Sequence, residues 1–546
     1  MCHAILLAVF ILPAAPTATQ SDVVVYGGTS AGVTAAIQAA RMQKSVVLIE
    51  PGGHIGGLTS GGLGRTDIGN KQAIGGIARE FYQRVHRHYR APGAWDRETR
   101  DGYIARAHGM VDRDTMWGFE PHVAEKIFRE MLAESGVKVF CRERLDLHGG
   151  VRKRGPRIVE IVMVSGHVYA GRVFIDATYE GDLMARAGVR YTVGREANSQ
   201  YGESLNGVET RHAVKHQFDL PVDPFVVPGD PLSGLLPGLH AGGPNVDGRA
   251  DRRVQAYNYR MCLTDVPENR IAFVRPAGYD RRRYEILLRY IEAGWQDVLG
   301  NHAPMPNRKS DTNNHGAFST DDIGMNYDYP EADYATREKI AAEHRDYQLG
   351  LMWTITNDPR VPAGLRQKFS AWGLAKDEFA DNGHWPHQLY VREARRMVAD
   401  YVMTEHECRG TRTVADSIAL AAYGMDSHNT QRYVAAPSGS LVAGHVRNEG
   451  DVEVAVAGPY PISYRAIVPK VAECTNLLVP VCLSATHIAY GSIRMEPVFM
   501  VLGQSAATAA VQAAGDDVDV QQVDYPRLRA RLLRDNQILA WQHKRK

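Results

Sequence analysis

A glycine-rich turn between two buried strands is the feature that most limits how this chain can fold. Residues 23–26 (VVVY) and 45–50 (SVVLIE) are apolar, β-branched runs typical of buried parallel strands. Between them, residues 31–42 are rich in alanine at helical spacing, so that helix and sheet can approach closely. Parallel neighbours need a crossover connection, and this order of elements supplies one. The chain therefore predicts a βαβ unit near its start.

The turn itself, GGTSAG at residues 27–32, has Thr29 where the strict GxGxxG pattern has glycine. It nevertheless follows the first strand and opens a helix, whose N-terminal amides can hold a pyrophosphate. Glu50 ends the second strand 18 residues after Gly32, where a carboxylate can accept hydrogen bonds from ribose hydroxyls. This spacing favours a dinucleotide site, and an α/β turn without a ligand is the alternative.

A second glycine-rich loop, GGHIGGLTSGGL at residues 52–63, follows Glu50 almost at once. Thirteen of the 52 glycines lie between Gly27 and Gly76, so backbone must come close to something in this region. A plain NAD-binding domain would continue into its next helix. Because the ribityl chain and flavin of FAD extend beyond the pyrophosphate, the second loop favours FAD over a flexible surface loop.

The order of elements predicts one domain built from both ends of the chain. The regular alternation of helices and strands continues after the glycine loops, with a helix at 121–134, a strand at 137–140 and a hairpin around 165–166. Residues 195–460 lose the βα alternation, and 461–515 return to it before a helical tail at 516–546. The predicted fold class is α/β: a discontinuous Rossmann-like FAD-binding domain (21–194 and 461–515) with an inserted α+β substrate domain (195–460).

The first twenty residues predict an export signal. They hold no Asp, Glu, Lys or Arg, and the apolar run from Ala4 to Ala15 is short for a membrane span. Because basic residues are missing from the start, an uncleaved anchor and a misassigned start codon are alternatives. We expect a secreted or periplasmic protein without a transmembrane domain after signal removal. The chain has 63 basic and 62 acidic residues, so its net charge is close to zero and gives no reason to expect a nucleic-acid partner.

Five segments carry motifs of a known family: YGGTSAGVTAAIQAAR, IEPGGHIGGLTSGGL, FIDATYEGDLMA, YVREARRMVADYVMT and IRMEPVFMVLGQSAATAA. They resemble the FAD-dependent oxidoreductase family common among exported bacterial proteins, within the glutathione-reductase-like, two-dinucleotide-binding flavoprotein superfamily. The similarity runs from Asp22 to about Gly515. Relatives typically carry a Gly-Asp pair where this chain has Val481-Cys482. The resemblance implies a FAD-dependent enzyme, either a dehydrogenase or an oxidase.

The resemblance also implies which residues hold FAD. The first loop and the strand-end acid would bind the ADP half, the second loop the pyrophosphate and ribityl region, and the late segment would close the flavin site. The implied residues are Gly27, Gly28, Thr29, Ser30, Ala31, Gly32, Glu50, Gly57, Leu58, Thr59, Ser60, Gly61, Asp176, Ala177, Thr178, Ser484, Gly503 and Gln504. In some related flavoproteins a histidine just after this strand is bonded to the flavin, so His54 is either such a residue or an ordinary loop histidine.

Flavin-dependent dehydrogenation needs a proton acceptor and a charge that stabilises developing anion. We predict His487 as the base and Arg494 as the electrostatic anchor. The alternatives are a merely buried His487 and a structural pair between Arg494 and Glu496. Hydrogen-bonding and aromatic side chains of the middle region suit a hydroxylated substrate: Asn313, Asn314, His384, Tyr390, Arg392 and Arg395, with the segment Asp426-Ser427-His428 as a further candidate. The 21 histidines show no metal-ligand spacing, so no metal is expected.

These features predict oxidation of a small hydroxylated (sugar- or polyol-like) or amine substrate by hydride transfer to FAD. Residues 195–455 contain no second strand–GxGxxG–helix unit, and the chain lacks a redox-active cysteine pair, so an NAD(P)H-dependent disulfide reductase is disfavoured. The electron acceptor is then oxygen, a quinone or a carrier protein. A redox-neutral flavin-dependent epimerase or isomerase and a non-catalytic carbohydrate-binding flavoprotein are the alternatives.

Overall fold

The computed structural model describes residues 18–299, 302–436 and 444–541. The predicted export signal lies for the most part at 1–17, outside these residues, and the first strand begins at Thr19. The strands are β1 (Thr19–Tyr26), β2 (Val46–Glu50), β3 (Lys138–Cys141), β4 (Val151–Arg154), β5 (Arg157–Val162), β6 (Val168–Asp176), β7 (Tyr191–Thr192), β8 (Cys262–Thr264), β9 (Arg270–Ile271), β10 (His302–Met305), β11 (Lys309–Thr312), β12 (Gly373–Ala375), β13 (Arg396–Met397), β14 (Ser417–Ala421), β15 (Met425–Ser427), β16 (Gln431–Ala435), β17 (His445–Glu449), β18 (Val452–Val454), β19 (Tyr460–Ser463) and β20 (Leu477–Leu478). The α-helices are α1 (Ser30–Arg41), α2 (Gly76–His88), α3 (Arg100–Arg106), α4 (Pro121–Glu134), α5 (Asp182–Arg186), α6 (Asn198–Tyr201), α7 (Glu285–Glu292), α8 (Tyr334–Asn357), α9 (Ala363–Ser370), α10 (Glu405–Cys408), α11 (His487–Ile493), α12 (Glu496–Asp516) and α13 (Tyr525–Arg534).

The main sheet has the order β3-β2-β1-β6-β5-β4, and β20 also pairs with β6. Strands β1, β2, β3, β6 and β20 run parallel, whereas β5 is antiparallel to β6 and β4 to β5. In the centre, Val23 lies opposite both Val46 and Val173. The buried β-branched runs thus form the parallel sheet that the sequence predicts, which confirms the α/β class. Strand β20, from late in the chain, thus joins the same sheet as β1.

Helix α12 packs against α1 and fills the space beside the sheet. A Cβ at Gly503 would lie 2.1 Å from the Ala31 carbonyl oxygen, so the two helices approach as closely as a glycine allows. The Thr34 hydroxyl donates to the Met500 carbonyl at 2.8 Å, which ties the helices together. Among the described residues, α12 alone is long and apolar enough to cross a membrane, and its apolar window is 94% buried.

The middle of the chain forms an antiparallel five-stranded sheet, β10-β11-β8-β12-β9, with several two-stranded pairs. The 24-residue helix α8 is its longest helix, and the sequence reasoning did not predict it. Arg337, His344 and Gln348 on this helix are buried, so polar residues interrupt the apolar pattern that marks an amphipathic helix. The domain boundaries given above remain predictions.

Candidate active site

Two glycines of the first turn are packed too tightly to carry a side chain. Helix α1 starts after Thr29, and Gly27 has φ +103°, a conformation that favours glycine. A Cβ at Gly27 would lie 2.6 Å from the Thr178 nitrogen, and one at Gly32 would lie 1.8 Å from the Gly27 carbonyl oxygen. The end of β1, the start of α1 and the turn after β6 therefore meet with backbone against backbone, as phosphate-binding turns require.

Glu50 lies where the two glycine loops meet. Its carboxylate accepts hydrogen bonds from the backbone nitrogens of Gly28 and Gly52, at 2.6 Å and 2.5 Å. Burial raises the pKa of Glu50 to about 7, although these two donors act in the opposite direction. A ligand hydroxyl that donates to this carboxylate would favour its ionised form. The predicted ribose-binding acid is thus held in place by both loops.

A second buried carboxylate, Glu496 at the start of α12, joins the two loops from the opposite end of the chain. It accepts hydrogen bonds from the hydroxyls of Ser30 at 2.6 Å, Thr59 at 2.7 Å and Tyr179 at 2.7 Å. The Tyr179 hydroxyl in turn accepts from the Leu58 nitrogen at 2.9 Å. The sequence offered Glu496 only as a structural partner of Arg494, and Tyr179 was not predicted, although it directly follows the Asp-Ala-Thr motif.

The Asp-Ala-Thr motif is held by its own aspartate. Asp176 accepts from the Thr178 hydroxyl at 2.7 Å and from the Met184 nitrogen at 2.8 Å, and burial raises the pKa of Asp176 to about 6. The Thr29 hydroxyl donates to the Ala177 carbonyl at 2.7 Å. These contacts place the motif against the first glycine turn, where the sequence predicts it.

A cavity of about 240 Å³ opens beside these elements, with Tyr26, Gly52, Thr178 and Tyr334 among its lining residues. The tightly packed glycines of the first turn, the start of α1, the carboxylate shared by both loops and this cavity together suit an extended dinucleotide such as FAD. The chain's residues therefore fit the cofactor that the sequence predicts. Gly27–Gly32, Glu50 and Gly57–Gly61 would hold it.

The late residues assigned to the flavin site contact other parts of the protein. Ser484 accepts a hydrogen bond from the Ala399 nitrogen at 3.2 Å, and Gln504 accepts one from the Ile77 nitrogen at 2.8 Å. Gly503 serves the packing of α12 on α1. All three residues thus have structural contacts, and the structure does not bring Gln504 to the glycine loops. Their predicted contact with the flavin stays a prediction.

A larger cavity of about 410 Å³, here called the polar cavity, lies in the inserted region. Its walls carry amide, hydroxyl, imidazole and carboxylate groups, from residues that include Lys215, His216, Asn313, Asn314, Tyr423, Asp426, His428, Asp451 and Glu453. Two of the predicted substrate residues, Asn313 and Asn314, are therefore brought together with the candidate segment 426–428. Such walls can hydrogen-bond a small polar molecule.

Arg494 lies directly behind the polar cavity. Its guanidinium donates to the Tyr390 hydroxyl at 2.6 Å and to the Asp426 carboxylate at 3.0 Å. It does not pair with Glu496, because that carboxylate is occupied by three hydroxyls. Residues 494–496 thus join the polar cavity to the cofactor loops within one short segment. The role of Arg494 as an electrostatic anchor stays a prediction.

The environment of His487 argues against its predicted role as the base. Its ring Nδ1 lies 2.7 Å from a Glu393 carboxylate oxygen, and Nε2 lies 2.9 Å from the Ser427 hydroxyl. The side chain is 2% exposed, and all three residues are buried. Because both ring nitrogens are engaged away from the polar cavity, the structure favours the alternative of a buried histidine that ties α11 to β15.

His428 is better placed to accept a proton. Its Nδ1 lies 2.7 Å from an Asp321 carboxylate oxygen, and its Nε2 lines the polar cavity 3.9 Å from Asp426. Burial and the nearby Arg392 guanidinium lower the pKa of His428, so the ring is neutral at neutral pH. The Nδ1 proton then points to Asp321 and leaves Nε2 free as an acceptor. Arg392, predicted to bind substrate, instead lies 3.1 Å from Asp321.

Two other predicted substrate residues are not brought to the polar cavity. Arg395 is buried and donates to the Asp182 carboxylate at 2.7 Å, because α5 and the segment before β13 pack together there. His384 lies on a turn with φ +61°, with its Nδ1 3.3 Å from the Glu378 carbonyl oxygen. Separately, the loop residue His54 is 3.0 Å from Glu125, and a covalent bond from it to flavin stays a prediction.

Comparison with known proteins identifies the family of this chain. Residues 22–532 match the family model described as FAD dependent oxidoreductase. Similar solved structures include L-proline dehydrogenase from P. horikoshii, at 17% identity and a TM-score of 0.23, with 33% of this chain and 59% of that chain covered. Another is L-amino acid deaminase from Proteus vulgaris, at 15% identity and a TM-score of 0.23, with 33% and 54% covered. The chain thus spans less than two thirds of these structures. No significant match is found among curated protein sequences.

Proposed function

Because this chain belongs to the FAD-dependent oxidoreductase family, we propose that it oxidises a small hydroxylated or amine substrate bound in the polar cavity. When bound, FAD supplies a two-electron acceptor for hydride from a substrate carbon. The observation that carries the proposal is His428 on the wall of this cavity, with its Nδ1 held 2.7 Å from an Asp321 carboxylate oxygen.

His428 would take the proton that leaves the substrate hydroxyl or amine. Asp321 orients the ring through Nδ1 and stabilises the imidazolium that forms. Burial opposes ionisation of Asp321, but Arg392 and His428 hold the pKa of this carboxyl below its ordinary value. The dyad is therefore ready at neutral pH, with the carboxylate charged and the imidazole neutral.

Arg494 and Asp426 would position the substrate beside this dyad. The Arg494 guanidinium fixes one Asp426 oxygen at 3.0 Å, and Asp426 lines the polar cavity together with the Asn313 and Asn314 side chains. A carboxylate held in this way can accept a hydrogen bond from a substrate hydroxyl without moving. Oriented donors and acceptors of this kind suit a polyhydroxylated molecule.

An anaerobic screen tests the proposal. The full-length, FAD-loaded protein is mixed with sugars, polyols, amines and hydroxy acids, and loss of the oxidised flavin absorbance is followed. We expect one class to reduce the flavin. Flavin reduction by that class should be about 10²–10⁴-fold slower in the His428→Gln variant, whereas the rate in His384→Gln should be close to that of the wild-type protein. Equal rates in the two variants would contradict the role of His428, and scrambled stereochemistry without net reduction would favour the epimerase.

We also propose that the protein is exported. The support is the uncharged, apolar segment at residues 1–20. Expression in a bacterial host, fractionation and N-terminal sequencing of the recovered protein test this. A protein recovered from the cytoplasm with its first residues intact would count against export.

A further inference from the structure

One buried carboxylate on the wall of the polar cavity has an oxygen that finds no hydrogen-bond partner in the described part of the chain. Asp451 is 2% exposed, and among the described residues no donor lies within hydrogen-bond distance of its Oδ1. It directly precedes β18, so its side chain joins the cavity wall while its backbone is fixed by the sheet. Burial, reinforced by Asp426 and Glu453, raises the pKa of Asp451 well above its ordinary value.

The other charged groups on this wall have partners of their own. Lys215 donates to Glu453, and Asp426 is held by Arg494. Three carboxylates, those of Asp426, Asp451 and Glu453, line the cavity. The two cations beside them, Lys215 and Arg494, already pair with Glu453 and Asp426. An ionised Asp451 would therefore be uncompensated unless a ligand supplied positive charge.

The neighbouring histidine does not supply that charge. The Gly316 nitrogen donates to His216 Nδ1 at 3.1 Å, so the proton of the neutral ring sits on Nε2. This Nε2 lies 3.7 Å from a Glu453 oxygen. Burial lowers the pKa of His216, which keeps the ring neutral. The imidazole therefore directs its one proton towards Glu453 and leaves Asp451 unpaired.

A metal ion is the rival occupant, because ligand atoms of His216, Asp451 and Glu453 lie within 4.8 Å of one another. A metal bound at His216 Nε2 would need the ring proton on Nδ1. The hydrogen bond that Nδ1 accepts from Gly316 opposes this tautomer. The geometry thus disfavours a metal and leaves a hydrogen-bonding cation as the better match.

We infer that Asp451 binds an ammonium group of the substrate, so that the substrate of the polar cavity is a polar amine rather than a neutral polyol. The inference rests on the proposed function, since it assigns the substrate class of the same cavity. Because burial raises the pKa of Asp451, this carboxyl favours its protonated form until a positive charge approaches, and a neutral hydroxyl would bond it without gaining from the nearby carboxylates of Asp426 and Glu453. An ammonium group supplies both the donor and the charge, while the amide and hydroxyl groups of the walls bind the rest of the molecule.

Matched pairs of compounds test the inference on the full-length holoenzyme. D-Glucosamine and D-glucose, and glucamine and sorbitol, differ mainly in one amino group. We expect the amines to reduce the flavin with the lower KM. Asp451→Asn should raise KM for an amine about 10- to 100-fold, with a much smaller change in kcat. As a matched control, Asp297→Asn removes an exposed carboxylate that pairs with His315 and should leave both parameters unchanged. Polyols that match the amines in wild-type protein would overturn the inference.

Calorimetry separates failure of this inference from failure of the proposed function. If no compound reduces the flavin, the oxidation proposal fails. The ammonium site would still be supported if glucosamine binds with a measurable heat and the Asp451→Asn variant shows no such heat. Binding of glucose equal to that of glucosamine would overturn it. Tight binding of Mn²⁺ that Asp451→Asn removes would overturn it in favour of the metal. Absence of any heat from either sugar would also count against it.

Discussion

Replacing Glu50 by Gln should remove a pH-dependent contribution to the stability of the FAD-free protein. The pKa of Glu50 is about 7 in the folded chain, against an ordinary value of 4.5. The folded state therefore binds this proton more tightly than the unfolded state. The stability associated with Glu50 is fully present below pH 4.5 and is lost as pH rises through 7. The gap between the two values corresponds to roughly 3 kcal/mol.

Thermal unfolding of the FAD-free protein measures this contribution. With an unfolding entropy of about 2.1 cal/mol/K per residue, 3 kcal/mol corresponds to a change in Tm on the order of 3 °C for a chain of this length. Between pH 5 and pH 8, where most of this contribution is lost, the wild-type Tm should therefore fall by about 2 °C more than the Tm of Glu50→Gln. The amide of Gln can accept only one of the two backbone hydrogen bonds, and this loss lowers the variant's Tm at both pH values alike.

Saturating FAD and a control variant complete the test. Ribose hydroxyls that donate to Glu50 would favour its ionised form, so FAD should reduce the wild-type pH dependence towards that of the variant. Glu130→Gln removes a half-exposed carboxylate on α4 and should retain the wild-type dependence. If Glu50→Gln and wild-type protein show the same dependence on pH without FAD, the assignment of the titrating group is refuted.

Three further substitutions test the rest of the site. Gly57 has φ +54°, and Gly57→Ala adds a Cβ 2.3 Å from the Tyr179 hydroxyl. FAD retention measured by gel filtration should therefore fall at least about tenfold. Full retention would contradict the tight packing of the loop. Arg494→Lys keeps the positive charge but cannot hydrogen-bond Tyr390 and Asp426 at the same time, as the guanidinium does. Flavin reduction measured by stopped flow should slow by about 10- to 100-fold. An unchanged rate would remove Arg494 from the mechanism. Acid precipitation tests His54: free flavin in the supernatant rules out a covalent bond, whereas flavin that stays with the protein and is released by His54→Ala would establish one.

The candidate site divides into contacts that local sequence predicts and contacts that only packing creates. The glycine turn and Glu50 were predictable, because strand, turn, helix and strand follow one another within about thirty residues and each local pattern agrees with the next. The base was not. His487 and His428 are both histidines in polar segments, and only burial shows that one has its ring nitrogens occupied while the other faces the polar cavity.

The sequence by itself determined the α/β class, the parallel sheet and the residue types of the cofactor loops, because strand periodicity and the conformational freedom of glycine are local properties. Tertiary structure decided which side chains meet. Glu496 bonds Ser30 across 466 residues of chain, and Asp321 bonds His428 across 107. Such pairs depend on how distant elements pack, and hydrogen bonds in a buried site form only after packing has excluded water. That is why a chemistry for the polar cavity, unlike the glycine loops, could be proposed only from the folded chain.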